Sequence, residues 1–395
     1  MGSLPHAPLR TRDRDPGGPD LRFDLRALAA CLLVALGARP ASAQPGGPAP
    51  PDTLITAATR QAVLDTLADR LDRFYVFPDV AKTAVKALRQ RAARREYEAL
   101  ASANAFADSL TAHLQAASRD RHLRVRWVPG AIPPAISDDS LTPGKAAQAR
   151  EELRLTNFGF ERIQRLAGNV GYLDLRRFAP PGLGAGETAA AAMNTLGGCD
   201  ALIVDLRRSG GGDPLMADLL ISYLYEPWER IHVNDFVNRT ERGLETEQYW
   251  TSPWVPGPHL AHRDVYVLTG PFTFSCAEEF AYDLQCLKRG TLVGETTGGG
   301  ANPGSVRPLD HHFAVFVPTG RAQNPVTKTN WEGAGVKPDV AVPSDSALAV
   351  AHGMALENLL AKAKDGDDRD RLGRALEQAR KAPLEALEER FRRRR

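Results

Sequence analysis

Five short, strongly apolar runs punctuate the middle of this chain, and they constrain its fold more than any other feature. They cover residues 170–175, 201–206, 265–269, 291–293 and 313–317, separated by helical stretches or turn clusters. Runs this short and this continuously apolar read as strands buried on both faces, so an α/β core around a largely buried sheet is predicted. Upstream, from about residue 53 to 117, the spacing is helical. Leu64, Leu67, Leu71 and Phe74 form one stripe, Phe106, Leu110 and Leu114 another, and Val85 and Leu88 point inward between them. Pro78 is expected to end the first helix. The expected organisation is a helical domain over 53–128, a linker and helix over 129–165, the α/β core over 166–346, and a charged helical segment and tail over 347–395. No internal repeat is present.

The first 43 residues read as an address. Five arginines between Arg10 and Arg26 precede an apolar stretch over 27–37, and Ala41-Ser42-Ala43 follows. A basic lead, a short apolar run and a small-x-small end describe a secretory signal cut after Ala43. A linker over 44–52 follows, and the mature protein is expected in the periplasm or secreted. Removing the signal takes away six Arg and four Asp and leaves the mature chain formally neutral. The whole chain carries only +2, which argues against nucleic acid as a partner. No apolar run reaches the roughly 18 to 20 residues of a membrane-spanning helix. Cys199, Cys276 and Cys286 remain after cleavage. Their odd number, without a CxxC pair, predicts free thiols.

Three segments carry candidate chemistry. In residues 265–287 a buried strand leads through a short turn to Ser275, and a helix follows. A serine there meets the free N–H groups and dipole of a helix N-terminus, which favour a developing negative charge. Ser275 and Glu278 equally fit an S-x-x-E capping box, in which the serine only caps the helix. The second segment, Asp205 to Pro214, places three glycines directly after a strand. Such a turn lets backbone N–H groups approach an oxyanion, or is simply a flexible turn. No GK[ST] follows to indicate a nucleotide site. The third is the histidine supply: His122, His232, His259, His262, His311, His312 and His352 are candidate bases. None has metal-site spacing, and pattern alone does not choose among them.

Taken together, the segments SRDRHLRV, NFGFERIQRLAGNVGYLDLRRF, CDALIVDLRRSGGG, VYVLTGPFTFSCAEEFAYDL, LVGETTGGGANPG and WEGAGVKPDV resemble the tail-specific (C-terminal processing) serine protease family. The branch is that of the tricorn protease core and the interphotoreceptor retinoid-binding protein modules. The resemblance spans roughly residues 53–360 and implies a crotonase-like spiral core of ββα units behind a small helical domain. It also implies roles: Ser275 as nucleophile, His122 as base, and Glu332 as the acidic residue that orients the catalytic group. Gly211, Gly212 and the N–H of Cys276 match the oxyanion hole.

Two departures from the family pattern matter. Many relatives place a Lys base about 25 residues after the serine, whereas this chain reads Gly298-Gly299-Gly300-Ala301. The 128–166 interval is also too short for the tail-binding PDZ domain. The expectation is therefore an exported serine-type peptidase with a His base. Its substrate would be peptide or unfolded protein, with neither metal nor organic cofactor required. A homo-oligomer is compatible with this reading. The competing expectations are a carrier of hydrophobic ligands on the same scaffold and, third, acyl-thioester chemistry.

Overall fold

The computed structural model describes residues 52–130, 132 and 143–381. The expected export signal, nearly all of the linker after it, most of the 129–142 linker and the terminal arginine run lie outside the described residues.

Three helices open the chain: α1 (Ala57–Phe74), α2 (Pro78–Ala93) and α3 (Ala103–Ser118). Thr56 and Ser102 cap α1 and α3, each accepting a backbone N–H through its hydroxyl. Pro78 occupies the first turn of α2, where its missing N–H costs nothing. The first helix has already stopped at Phe74. Leu67, Leu71, Leu88, Phe106 and Leu110 meet in one core, as their spacing predicts. A short strand, β1 (Arg124–Trp127), follows, and α4 (Pro143–Arg154) leads to the next unit.

The strands of the remainder are β2 (Phe160–Leu166), β3 (Val170–Leu175), β4 (Ala201–Asp205), β5 (His232–Thr240) and β6 (Gly243–Trp250). They continue with β7 (Asp264–Thr269), β8 (Thr291–Gly294), β9 (Gly304–Pro308), β10 (Phe313–Pro318), β11 (Gly320–Gln323) and β12 (Val340–Ala341). The central sheet runs in the order β12-β8-β7-β4-β3-β2. It is parallel except for β2, which is antiparallel at the edge.

Alternation along the central strands serves two cores. Leu173, Val204, Val267 and Leu292 face α5 (Ala185–Leu196), α6 (Pro214–Ser222) and α7 (Cys276–Cys286). Tyr172, Ile203, Tyr266 and Val293 face α8 (Ala347–Lys362) and α9 (Gly366–Lys381). Both faces are covered, so the middles of these strands are apolar on both sides. The fold is mixed α/β behind a helical N-terminal region, and α4 is the only helix or strand described between β1 and the short turn that precedes β2.

Two placements differ from expectation. The run at 313–317 does not join the central sheet. As β10 it pairs antiparallel with β1 and β9, and Phe313, Val315 and Val317 complete the core of the N-terminal helices. An apolar run reports burial, not which core buries it. The C-terminal segment is likewise more than a charged appendage: Leu348, Ala351, Ala355 and Leu356 of α8 cover one face of the central sheet. Packing therefore crosses the boundaries expected at 128 and 346.

The contact between α6 and α7 holds an unusual load of carboxyls. Asp213 and Asp283 are fully buried, Glu279 nearly so and Asp218 partly. Asn234 and Asn324 donate amide N–H groups to Glu279 and Asp283, while Asp213 Oδ2, Asp218 Oδ1 and Asp283 Oδ2 lack partners. Burial pushes Asp213 up to about 6, Asp218 to about 7 and Glu279 to about 8, with neighbouring carboxylates adding to the Glu279 shift. In the unfolded chain these groups titrate near 4. Between those limits the folded state binds more protons than the unfolded one. Stability is therefore expected to rise as pH falls from about 8 towards 5, by at most about 1.4 kcal/mol per pH unit per group. Urea unfolding midpoints at several pH values measure this. The Glu279→Gln variant should show a shallower slope; an unchanged slope would exclude Glu279 as a contributor.

Candidate active site

The end of β4 and the start of α7 are stapled together. Phe274 N–H donates to Ser209 O at 3.1 Å, and Thr273 Oγ1 donates to Leu206 O at 2.8 Å. The turn after β4 is anchored by Asp205, which accepts from the Arg207 guanidinium at 3.0 and 2.6 Å and from Tyr172 Oη at 2.7 Å. Burial alone would raise the Asp205 carboxyl; these donors outweigh it and hold it below the usual carboxylate range. The DLRR motif is thus a rigid base for the glycine turn.

Ser275 sits at the N-cap of α7 with φ 57° and ψ −127°. A non-glycine residue held at such angles costs of order 1–3 kcal/mol, and persists only where its surroundings over-determine it. Here the constraint is Glu278. Its buried carboxylate accepts Ser275 N–H at 2.9 Å, Thr297 Oγ1 at 2.5 Å, Gly299 N–H at 2.7 Å and Gly300 N–H at 2.8 Å. One side chain therefore ties the strained serine to the glycine loop at 298–300.

Gly211 packs directly against this corner. With φ +91°, a Cβ placed on it would lie 2.8 Å from both Ser275 Cβ and Cys276 N. Only glycine brings the turn this close. Gly212 bridges to Phe178, whose carbonyl oxygen a Cβ on Gly212 would meet at 2.0 Å. Cys276 Sγ donates to Asp213 O at 3.3 Å, and none of Cys199, Cys276 and Cys286 is in a disulfide.

His122 arrives from the N-terminal unit, in the segment just before β1. Its ring lies 4.7 Å from that of Phe274, the residue preceding Ser275, and stacks on Phe316 of β10 at 5.5 Å. The placement of β10 in the helical core is what puts Phe316 there. Burial, with the Arg124 cation adding, pushes the His122 imidazole down to about 4, so it is neutral at neutral pH. Its Nδ1 is buried without a hydrogen-bond partner. Ser275 and His122 are thus brought to one corner although more than 150 residues separate them in the chain.

Two carboxylates flank the histidine. Glu332 accepts from the backbone N–H of Arg121 at 3.0 Å, Ala301 at 2.6 Å and Asn302 at 3.2 Å. Asp120 accepts from His122 N–H at 3.0 Å, Tyr75 Oη at 3.0 Å and Asn302 Nδ2 at 2.9 Å. Burial, and then the nearby Asp120, push Glu332 up to about 7. Both carboxylates lock the His122 segment to the loop after Gly300.

The other histidines lie in different surroundings. His232 bonds Asp235, His259 bonds Tyr225 O, His262 pairs with Glu226, His312 bonds Val128 O and His352 bonds Ala167 O, while His311 is exposed. From sequence, Asp120 was only the first residue of the Asp-x-His motif that ends at His122, without a role of its own, and Glu278 only half of a capping box. The S-x-x-E spacing was the one available signal for Glu278, because its other three donors come from about twenty residues downstream.

Two family profiles match this sequence. The profile of Peptidase family S41 matches residues 169–342, and that of the N-terminal domain of Peptidase S41 in eukaryotic IRBP matches residues 54–154. Among solved structures, the photosystem II D1 C-terminal processing protease superposes with TM-score 0.45 and 15% identity. That likeness covers 74% of this chain and 95% of that one. Mature CPAF gives 0.47 and 12%, covering 74% and 94%. The tricorn protease gives 0.44 and 14%, covering 83% of this chain and 37% of its own. The two profiles follow one another along the chain and together take in most of residues 54–342, and on that ground the chain belongs to peptidase family S41, with an N-terminal domain of the IRBP type.

Proposed function

We propose that this chain is an exported endopeptidase that cleaves peptide bonds by acyl transfer, with Ser275 as nucleophile and His122 as base. The observation that carries the reading is the strained Ser275, packed against Gly211 at a helix N-terminus, with the neutral His122 ring beside the preceding Phe274. His122 takes the hydroxyl proton as Ser275 Oγ bonds to the peptide carbonyl carbon. The oxygen that becomes negative is received by the N–H groups of Gly211 and Cys276, with Gly212 fixing the turn against Phe178. The C–N bond then breaks, the amine leaves with the proton from the imidazolium, and water hydrolyses the acyl-enzyme by the same route. Each oxyanion donor of this kind contributes about 2.7–4 kcal/mol. Glu332 orients the His122 segment through Arg121.

His122 and Ser275 share no hydrogen bond in this structure, and catalytic hydrogen bonds commonly tighten only with substrate bound. A lysine base has no room in the glycine loop. A Cβ on Gly300 would lie 2.3 Å from Phe274 Cζ and 2.8 Å from His122 Cε1. The export signal read over residues 1–43 assigns the activity, in this proposal, to the periplasm or the exterior.

A serine-directed fluorophosphonate probe tests the nucleophile. One adduct per chain, mapped to Ser275 by peptide mass spectrometry, is the expected result. An unlabelled protein that binds a hydrophobic fluorophore tightly would replace the peptidase with the ligand-carrier reading.

A further inference from the structure

Beyond its part in catalysis, the cluster around His122 has the donor set of a metal site. One oxygen each of Asp120 and Glu332 and one ring nitrogen of His122 lie within 4.8 Å of one another. We propose that Asp120, His122 and Glu332 bind a divalent cation of the zinc class, and that its binding withdraws His122 from catalysis. The inhibitory half of this proposal rests on His122 being the base; the binding half does not.

The donors are held before any ion arrives. Three backbone N–H groups fix Glu332, and its Oε1 accepts only one of them, from Arg121. Tyr75, Asn302 and the His122 N–H fix Asp120. Phe274 and Phe316 hold the imidazole ring. Two polar atoms here are buried and unsatisfied: His122 Nδ1 and Asn302 Oδ1. Asn302 touches both carboxylates, through its backbone N–H and its side-chain amide. His122 Nδ1 is buried without a partner, and one nitrogen of the same ring lies near both carboxylates, where a cation would accept its lone pair.

Ligand chemistry selects the ion. Zinc takes imidazole nitrogen and carboxylate oxygen at about 2.0–2.2 Å, which sets donors roughly 3.3 Å apart in a tetrahedron. Shifts of about 1 Å in side chains bring the present spacing to that value. Calcium needs six to eight oxygens and magnesium an octahedron rich in water, and neither favours an imidazole.

The test uses the full chain carrying Ser275→Ala, stripped of metal, titrated with Zn²⁺ in a calorimeter. One site per chain is expected, with no comparable binding of Ca²⁺ or Mg²⁺. Adding Glu332→Gln or His122→Ala should weaken Zn²⁺ by more than about 100-fold, beyond the 10–100-fold that losing an outer-shell partner causes. Co²⁺ gives a second readout: an intense visible spectrum in the Ser275→Ala chain, absent from the isosteric Glu332→Gln variant. Absence of Zn²⁺ binding, or binding indifferent to both substitutions, overturns the site. With wild-type protein, Zn²⁺ should stop hydrolysis and a chelator should restore it. Zn²⁺ that binds at this site without slowing hydrolysis overturns the inhibition. A chelated wild-type chain with no hydrolysis at all, yet intact Zn²⁺ binding, overturns the peptidase reading and leaves the metal site standing.

Discussion

Replacing Ser275 with alanine is expected to lower peptide hydrolysis by about 10⁶-fold, the scale on which loss of the attacking hydroxyl acts when catalytic residues work as a unit. The fold should survive. Alanine keeps the Cβ that packs against Gly211 and the backbone N–H that Glu278 accepts. The backbone at φ 57° stays strained in this variant. A Ser275→Gly variant should be equally inactive but more stable than Ser275→Ala, because glycine adopts positive φ freely. Turnover assays paired with urea unfolding separate the two effects. Substantial hydrolysis by a folded Ser275→Ala protein would mean that the hydroxyl is only a helix cap.

The second large effect is expected at His122. His122→Ala should lower turnover by roughly 10²–10⁴-fold, the usual contribution of a positioned base. It should also cost stability, since the ring fills the space between Phe274 and Phe316. Turnover must therefore be measured on protein shown to be folded by circular dichroism. Combining His122→Ala with Ser275→Ala should be little worse than Ser275→Ala alone, because a base without its nucleophile has nothing to activate. His311→Ala and His312→Ala should change little, as both side chains sit on an exposed turn beyond the site. Parental turnover in folded His122→Ala protein would assign the ring to packing alone.

The two variants probe different layers of the site. Ser275 is placed by local structure: a strand, a tight turn and a helix start that are contiguous in the chain. His122 depends on a remote element. Its ring is positioned by β10, which leaves the α/β unit to pair with β1, and by Asp120 and Glu332, which bolt the two units together. Mutations in β10 that loosen Phe316 should therefore act on turnover more than on the central sheet.

Strands β3, β4, β7 and β8 were legible in the sequence because both their faces are buried, which leaves a continuous apolar run as a signature. The stripes of α1 and α3 were legible for the same reason on one face. Strands β2 and β6 left no such mark, since most of their side chains meet water and carry polar residues. The serine at a helix start, the glycine turn after β4 and the three thiols outside disulfides could also be read locally. Only the tertiary structure decided that β10 serves the helical core, and that Glu278 binds the serine and a distant glycine loop at once. It also decided that His122 is the histidine packed on Phe274, the residue before Ser275. Burial and helix starts are properties of short segments, so composition and spacing record them. The corner that holds Ser275 and His122 is an intersection of segments more than 150 residues apart, and its geometry exists only once both units have packed.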